Sequence, residues 1–110
     1  MIEKVKRLLG IKTTDYAQLM KEGAVILDVR TPGEFSTGHI KGSVNISVDK
    51  LPYSLNKLRN KNNPVITCCA SGIRSEVARK ILQSNGFTNV YNGGVWFRLK
   101  KKAGGKTNES

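Results

Sequence analysis

The stretch Cys68-Cys69-Ala70-Ser71-Gly72-Ile73-Arg74-Ser75 sets two thiols, a glycine and a guanidinium between apolar segments. Pro64-Val65-Ile66-Thr67 precedes it, and Glu76-Val77-Ala78-Arg79-Lys80-Ile81-Leu82 follows. If a strand ends at Cys68 and a helix begins near Ser75, the intervening amides lie at the helix's amino end, where N–H groups lack intrahelical acceptors. Gly72 permits a turn that a larger residue resists. The free donors and the helix dipole favour an anion, and the same field favours thiolate over thiol at the start of the loop. Arg74 adds a permanent charge with a planar fork suited to an oxyanion, so substrate contact is its expected role over pairing with an acid at the surface. Such a set can carry out nucleophilic attack by sulfur, with the charge held by backbone dipoles. It needs no histidine base, and the only histidine, His39, is far away in sequence.

Adjacent strand residues point to opposite faces. Cys69 is therefore expected to face the loop and Cys68 to pack in the core. Ser71 reads as a turn former and Ser75 as a helix cap, each with a hydroxyl in reach of a ligand.

The elements that must position this loop alternate along the chain. "DYAQLMKEG", capped by Thr13 or Thr14 and ended by Gly23, reads as a helix. "AVILDVR" (residues 24–30) is an apolar run typical of a strand buried on both faces. Pro32 opens one turn around Glu34 and Phe35; a short strand is expected at 43–46 and a modest helix at 51–58. Residues 65–68 form a second buried strand, and 75–84 the clearest helix, with Val77, Ala78, Ile81 and Leu82 inward. A strand at 87–91, a turn at Gly93-Gly94 and a basic helix at 95–102 complete the series, with a short edge strand at 11–13. This alternation predicts an α/β sandwich with a mainly parallel sheet, in which ligands gather beyond the carboxyl ends of the strands.

At 110 residues the chain is expected to be one domain with its core at about 11–102, a basic helix over 1–10 and a mobile tail over 103–110. Recurring apolar blocks favour a globular fold, and no apolar run reaches membrane-spanning length. The start does not read as a signal peptide, so the cytoplasm is the expected compartment. Two neighbouring cysteines close only a strained ring, and with one distant histidine they fall short of a closed zinc site; no cofactor or metal is expected. The net charge of +11 suits attraction of small anions, whereas no zinc-finger spacing or RNA-binding aromatic motif supports a nucleic-acid partner.

Three blocks, "LDVRTPGEFSTGHIKGSVNI", "CASGIRS" and "GFTNVYNGG", stand in an order that resembles the single-domain rhodanese family, the thiosulfate-type sulfurtransferases, over about residues 13 to 96. The resemblance implies a three-layer sandwich around a central five-stranded sheet. It also implies that Cys69 is the nucleophile, with Ala70, Ser71, Gly72, Ile73, Arg74 and Ser75 as the substrate-binding loop. In the implied reaction Cys69 takes the outer sulfur of thiosulfate or a persulfide donor and passes it to a thiol, cyanide or protein-cysteine acceptor. A monomer is expected. Ala70 stands where many relatives carry a polar or basic residue, and Trp96 comes early after the glycine pair. The resemblance also leaves His39 as a loop anchor, and Asp28, Arg30 and Glu34 as an ion-pair network bracing the site.

Two other readings are open. A phosphatase or arsenate-reductase cradle needs five residues between Cys and Arg; Cys68 to Arg74 encloses five and Cys69 to Arg74 four, so the count alone is ambiguous. A sulfur-carrier or binding module without turnover of its own is the other.

Overall fold

The computed structural model describes residues 14–58 and 60–104. Asp15 starts the first helix: its carboxylate accepts the Gln18 amide at 3.0 Å, and α1 runs over Tyr16–Lys21. The cap thus falls just after the expected Thr13 or Thr14, because a carboxylate both satisfies an orphan amide and complements the positive helix end. β1 (Val25–Asp28) follows, then α2 (Pro32–Ser36), β2 (Val44–Asn45), β3 (Val65–Cys69), α3 (Ile73–Ser84), β4 (Val90–Val95) and α4 (Trp96–Lys102). In place of the expected helix over 51–58 there are two 3-10 turns, Leu51–Tyr53 and Leu55–Lys57. Ser54 separates them with φ −129°, outside the helical region.

The strands pair in the order β2-β1-β3-β4, and every pair is parallel. Four strands are present among the described residues instead of the expected five. The fifth, placed at 11–13, lies outside them, as do the proposed helix over 1–10 and the tail beyond Gly104. One face of the sheet carries a core of Leu27, Val29, Leu51, Cys69, Ala78 and Leu82 among others. The other carries Leu19, Ile26, Ile66, Cys68 and Leu99. Helix α3 covers the first face, and α1 and α4 cover the second, giving three layers.

Two corrections concern the end of the chain. β4 begins at Val90, because Phe87 is buried in the turn that closes α3, its amide bonded to Leu82 O at 3.0 Å. Gly93 and Gly94 are not a turn; they lie inside β4. Thr67 pairs with Asn92 and Cys69 with Val95, so three steps of β4 match two of β3 at a bulge. A Cβ on Gly93 would stand 2.8 Å from Ile66, Leu99 and the Thr67 carbonyl, so only glycine lets β4 pass this close.

Helix α3 starts at Ile73, two residues before the expected start, and buries Ser75, Ala78 and Leu82. Val77, expected on that face, is 47% exposed. The Thr67 hydroxyl donates to Ser75 O at 2.9 Å and turns Ser75 toward the sheet. Two residues further on is about 200° around the helix, so Val77 faces outward. Among the described residues no helix is long and apolar enough to cross a membrane.

Candidate active site at the end of β3

Cys69 ends β3, where the carboxyl ends of the parallel strands open toward the loop. Its Sγ accepts the Gly72 amide at 2.9 Å and the Ser75 amide at 3.3 Å. Gly72 makes this possible: it stands at φ 98°, in the left-handed region, and caps α3 through its backbone alone. Cys69 is fully buried on the α3 face, whereas its neighbour Cys68 is fully buried in the opposite core. Their chemistry diverges accordingly. Burial alone would raise the Cys69 thiol, yet hydrogen bonds from Ser75, Gly72 and Ser71 outweigh it and hold the thiol below its ordinary value. Burial, aided by the Asp28 charge, pushes the Cys68 thiol far above its ordinary value and keeps it protonated.

The Ser75 hydroxyl lies 2.9 Å from Gly72 O and 2.6 Å from Asn92 Oδ1, two acceptors for one proton. Asn92 Oδ1 also accepts the Gly94 amide at 2.9 Å, and its Nδ2 donates to Glu76 at 3.1 Å. Glu76 is in turn held by Arg79. A chain of polar contacts therefore ties β4 to the first turn of α3, where the Ser75 amide meets the sulfur. Asn92 has no signature in the sequence; only its register opposite Thr67 brings it here.

Arg74 departs from expectation. Both arms of its guanidinium are engaged by Glu34, at 2.8 and 3.0 Å, 40 residues away in sequence. Glu34 is aimed by its own helix: it closes a capping box with Thr31, whose hydroxyl and amide it also engages. Arg74, with help from the Thr31 amide, holds the Glu34 carboxyl at about 2. The fork expected for a substrate is occupied by an acid presented at the matching geometry.

The expected bracing network is found beside it. Arg30 forks onto Asp28 at 2.7 to 3.1 Å, and this pair is almost wholly buried. The same guanidinium donates to Gly38 O and Glu34 O and lies 4.6 Å from the Trp96 ring centre. His39 stacks on Phe35 at 3.7 Å, with Nδ1 2.7 Å from Phe35 O, which pins the loop after α2.

Of the loop residues singled out, Cys69, Gly72 and Ser75 thus converge on one sulfur. Ala70, Ser71 and Ile73 form an exposed rim, where the Ser71 hydroxyl accepts the Ile73 amide at 3.4 Å. Among the described residues no three of His, Cys, Asp and Glu come together as metal ligands. The arrangement turns the Gly72 and Ser75 amides onto the Cys69 sulfur, a setting that favours a thiolate there.

Comparisons with known proteins bear on this arrangement. A family model described as "Rhodanese-like domain" matches residues 12–95. The uncharacterized protein YqhL of Bacillus subtilis is 41% identical over 103 residues, covering 92% of this chain and 77% of that protein. A tRNA uridine(34) hydroxylase of Pelagibacter ubique is 42% identical over 69% of this chain, which spans only 27% of that protein. The thiosulfate sulfurtransferase GlpE of Stutzerimonas stutzeri is 38% identical over 63% of this chain and 62% of its own length. Among solved structures, a rhodanese with anions from E. coli superposes with a TM-score of 0.65 at 29% identity, over 68% of this chain and 89% of that one.

Proposed function

We propose that this chain, which belongs to the rhodanese-like domain family, transfers sulfane sulfur from thiosulfate or a persulfide donor to a thiol, cyanide or protein-cysteine acceptor through a persulfide on Cys69. The observation that carries this reading is the convergence of the Gly72 and Ser75 amides on Cys69 Sγ, while Cys68 lies in the opposite core. With thiosulfate as donor, the Cys69 thiolate attacks the outer sulfur, the S–S bond breaks, and sulfite leaves with the electron pair. The new terminal sulfur then carries the negative charge toward the loop amides of residues 70–75. An acceptor thiolate attacks that sulfur, and Cys69 is released as thiolate. The loop hydrogen bonds that lower the Cys69 thiol favour its thiolate without a neighbouring general base. The stabilisation is electrostatic and preorganised by the αL turn at Gly72.

The phosphatase-like reading would need Cys68, whose side chain faces away from the loop and whose thiol is held protonated. The carrier reading shares the Cys69 persulfide and differs only in turnover. Intact-mass measurement after incubation with thiosulfate tests the persulfide: the protein should gain one sulfur atom, retained in Cys68→Ser and lost in Cys69→Ser. Continuous thiocyanate release from cyanide separates an enzyme from a carrier. No sulfur gain from any donor would overturn the proposal.

A further inference from the structure

Helix α3 turns Ser75, Ala78 and Leu82 into the core and leaves a second stripe outside it. Ile73, Val77 and Ile81 follow one another at four-residue spacing, which places them one above the next on the helix surface. Ile73 is 72% exposed, Val77 47%, and Ile81 is half-buried. The turn at Leu51–Tyr53 packs beside this stripe. Between them lies an open groove of about 380 Å³, lined by Pro52, Val77, Lys80, Ile81, Ser84 and Asn85. Tyr53, the neighbour of Pro52, is 87% exposed. Single apolar residues at a surface need no explanation, whereas an apolar run along a concavity marks a contact surface. Two observations say what covers it. Lys80 is the one ionised side chain in the lining among the described residues, and the chain carries a net charge of +11. An acidic occupant is therefore attracted, and a second copy of this chain is repelled. The other observation is place. Ile73 starts the stripe and also belongs to the rim of the Cys69 loop, and Ile81 lies only about 12 Å further along the helix.

We propose that the groove between α3 and the Leu51–Tyr53 turn docks an acidic helix of a partner protein, and that this docking brings a cysteine of the partner to the rim at Ala70 and Ile73. The groove stands on its own geometry; the use of the cysteine rests on the Cys69 persulfide reading above. The apolar face of the docked helix covers Val77 and Ile81, and its carboxylates meet Lys80. The partner's thiolate attacks the outer sulfur of the Cys69 persulfide and forms a new S–S bond to it. The bond to Cys69 Sγ breaks with its electron pair on Sγ, so the partner leaves as a persulfide and Cys69 returns as thiolate. No oxidant or reductant is consumed.

Docking is measured first on the intact Cys69→Ser chain, where no sulfur moves. The probe is a synthetic helix-forming peptide of about 14 residues, with leucine at i, i+4 and i+8, glutamate on the remaining faces and one terminal cysteine. Titration calorimetry should show saturable binding, and the same peptide with lysine in place of glutamate should not bind. Val77→Glu and Lys80→Glu should each weaken the glutamate peptide by at least about tenfold. Lys102→Glu, which makes the same charge change on α4 across the sheet, should leave the affinity within about twofold. Sulfur transfer is then followed on the wild type carrying one extra sulfur by mass. The peptide cysteine should remove that sulfur at least about tenfold faster than glutathione at equal thiolate concentration, and Val77→Glu should erase the advantage. No saturable binding, equal binding of the lysine peptide, or an equal loss in Lys102→Glu overturns the groove. Binding with no gain over glutathione overturns the delivery of the cysteine to the rim. If Cys69 takes up no sulfur, the persulfide reading fails and the delivery with it, while the calorimetry still decides the groove.

Discussion

Asn92 Oδ1 stands 2.6 Å from the Ser75 hydroxyl, so a β4 residue fixes the residue whose amide reaches the Cys69 sulfur. In Asn92→Ala the Gly94 amide loses its acceptor and Glu76 loses a donor. The cost should be about 1–3 kcal/mol, read from the urea unfolding midpoint. Freed from β4, the first turn of α3 should hold the sulfur less well, and the Cys69 thiol should titrate at higher pH than in the wild type. An unchanged titration with lowered stability would confine Asn92 to a structural part.

Two glycines should fail for different reasons. Gly72→Ala meets no close atom, only Gly94 Cα at 3.7 Å, but must hold φ 98°. Its cost should be the left-handed backbone penalty, about 1–2 kcal/mol, and sulfur uptake should slow with it. Gly93→Ala has ordinary freedom in φ but no space, with the immobile Thr67 carbonyl 2.8 Å from the added carbon. It should destabilise by roughly 1–3 kcal/mol or more by overpacking. If Gly72→Ala proves neutral in both stability and sulfur uptake, the turn is not required.

Acid stability should depend on the two paired glutamates. Glu34 and Glu76 are both held at about 2, by Arg74 and Arg79 respectively, below the ordinary carboxylate value of 4.5. The folded state therefore binds fewer protons than the unfolded one between those limits. The stabilisation is complete above the ordinary value and fades as the pH falls toward 2. Glu34→Gln should flatten the fall in stability between pH 5 and about 2 without abolishing it, because Glu76 remains. An acid limb identical to the wild type would show that the Glu34–Arg74 pair contributes nothing in solution.

The two thiols should pull stability in opposite directions at alkaline pH. Cys69 is lowered, so its contribution is present above the ordinary thiol value and is lost as the pH falls through its own lowered value. Cys68 is raised, so folding weakens as the pH climbs above the ordinary thiol value, where only the unfolded chain ionises. Cys68→Ala should flatten the alkaline decline, and Cys69→Ala should steepen it. Chemical denaturation across pH 7 to 10 reads both; the same slope in the two variants would refute the difference in environment.

How far the molecule could be read from its residues depends on range. β1 and β3 were legible because both faces are buried and the runs are continuously apolar, and the loop at 69–75 because glycine, cysteine and serine stand within one turn. The start of α3 was misjudged because Gly72 caps it with no side-chain signal. The glycine pair suggested a turn, whereas its use is close approach inside a strand, visible only once Ile66 and Leu99 are in place. The partner of Arg74 and the part played by Asn92 depend on contacts 40 and 17 residues apart, which no local pattern encodes.

Consecutive positions on β3 lead to separate sides of a wall that the chain cannot open without unpairing from both neighbouring strands. On the proposed reading, a sulfur carried on Cys69 would be insulated from the adjacent thiol and would find no internal route out. Such cargo would exit past the rim at Ala70 and Ile73, by way of whatever molecule arrives there, and the lifetime of the charged form would be set by visitors and not by the fold.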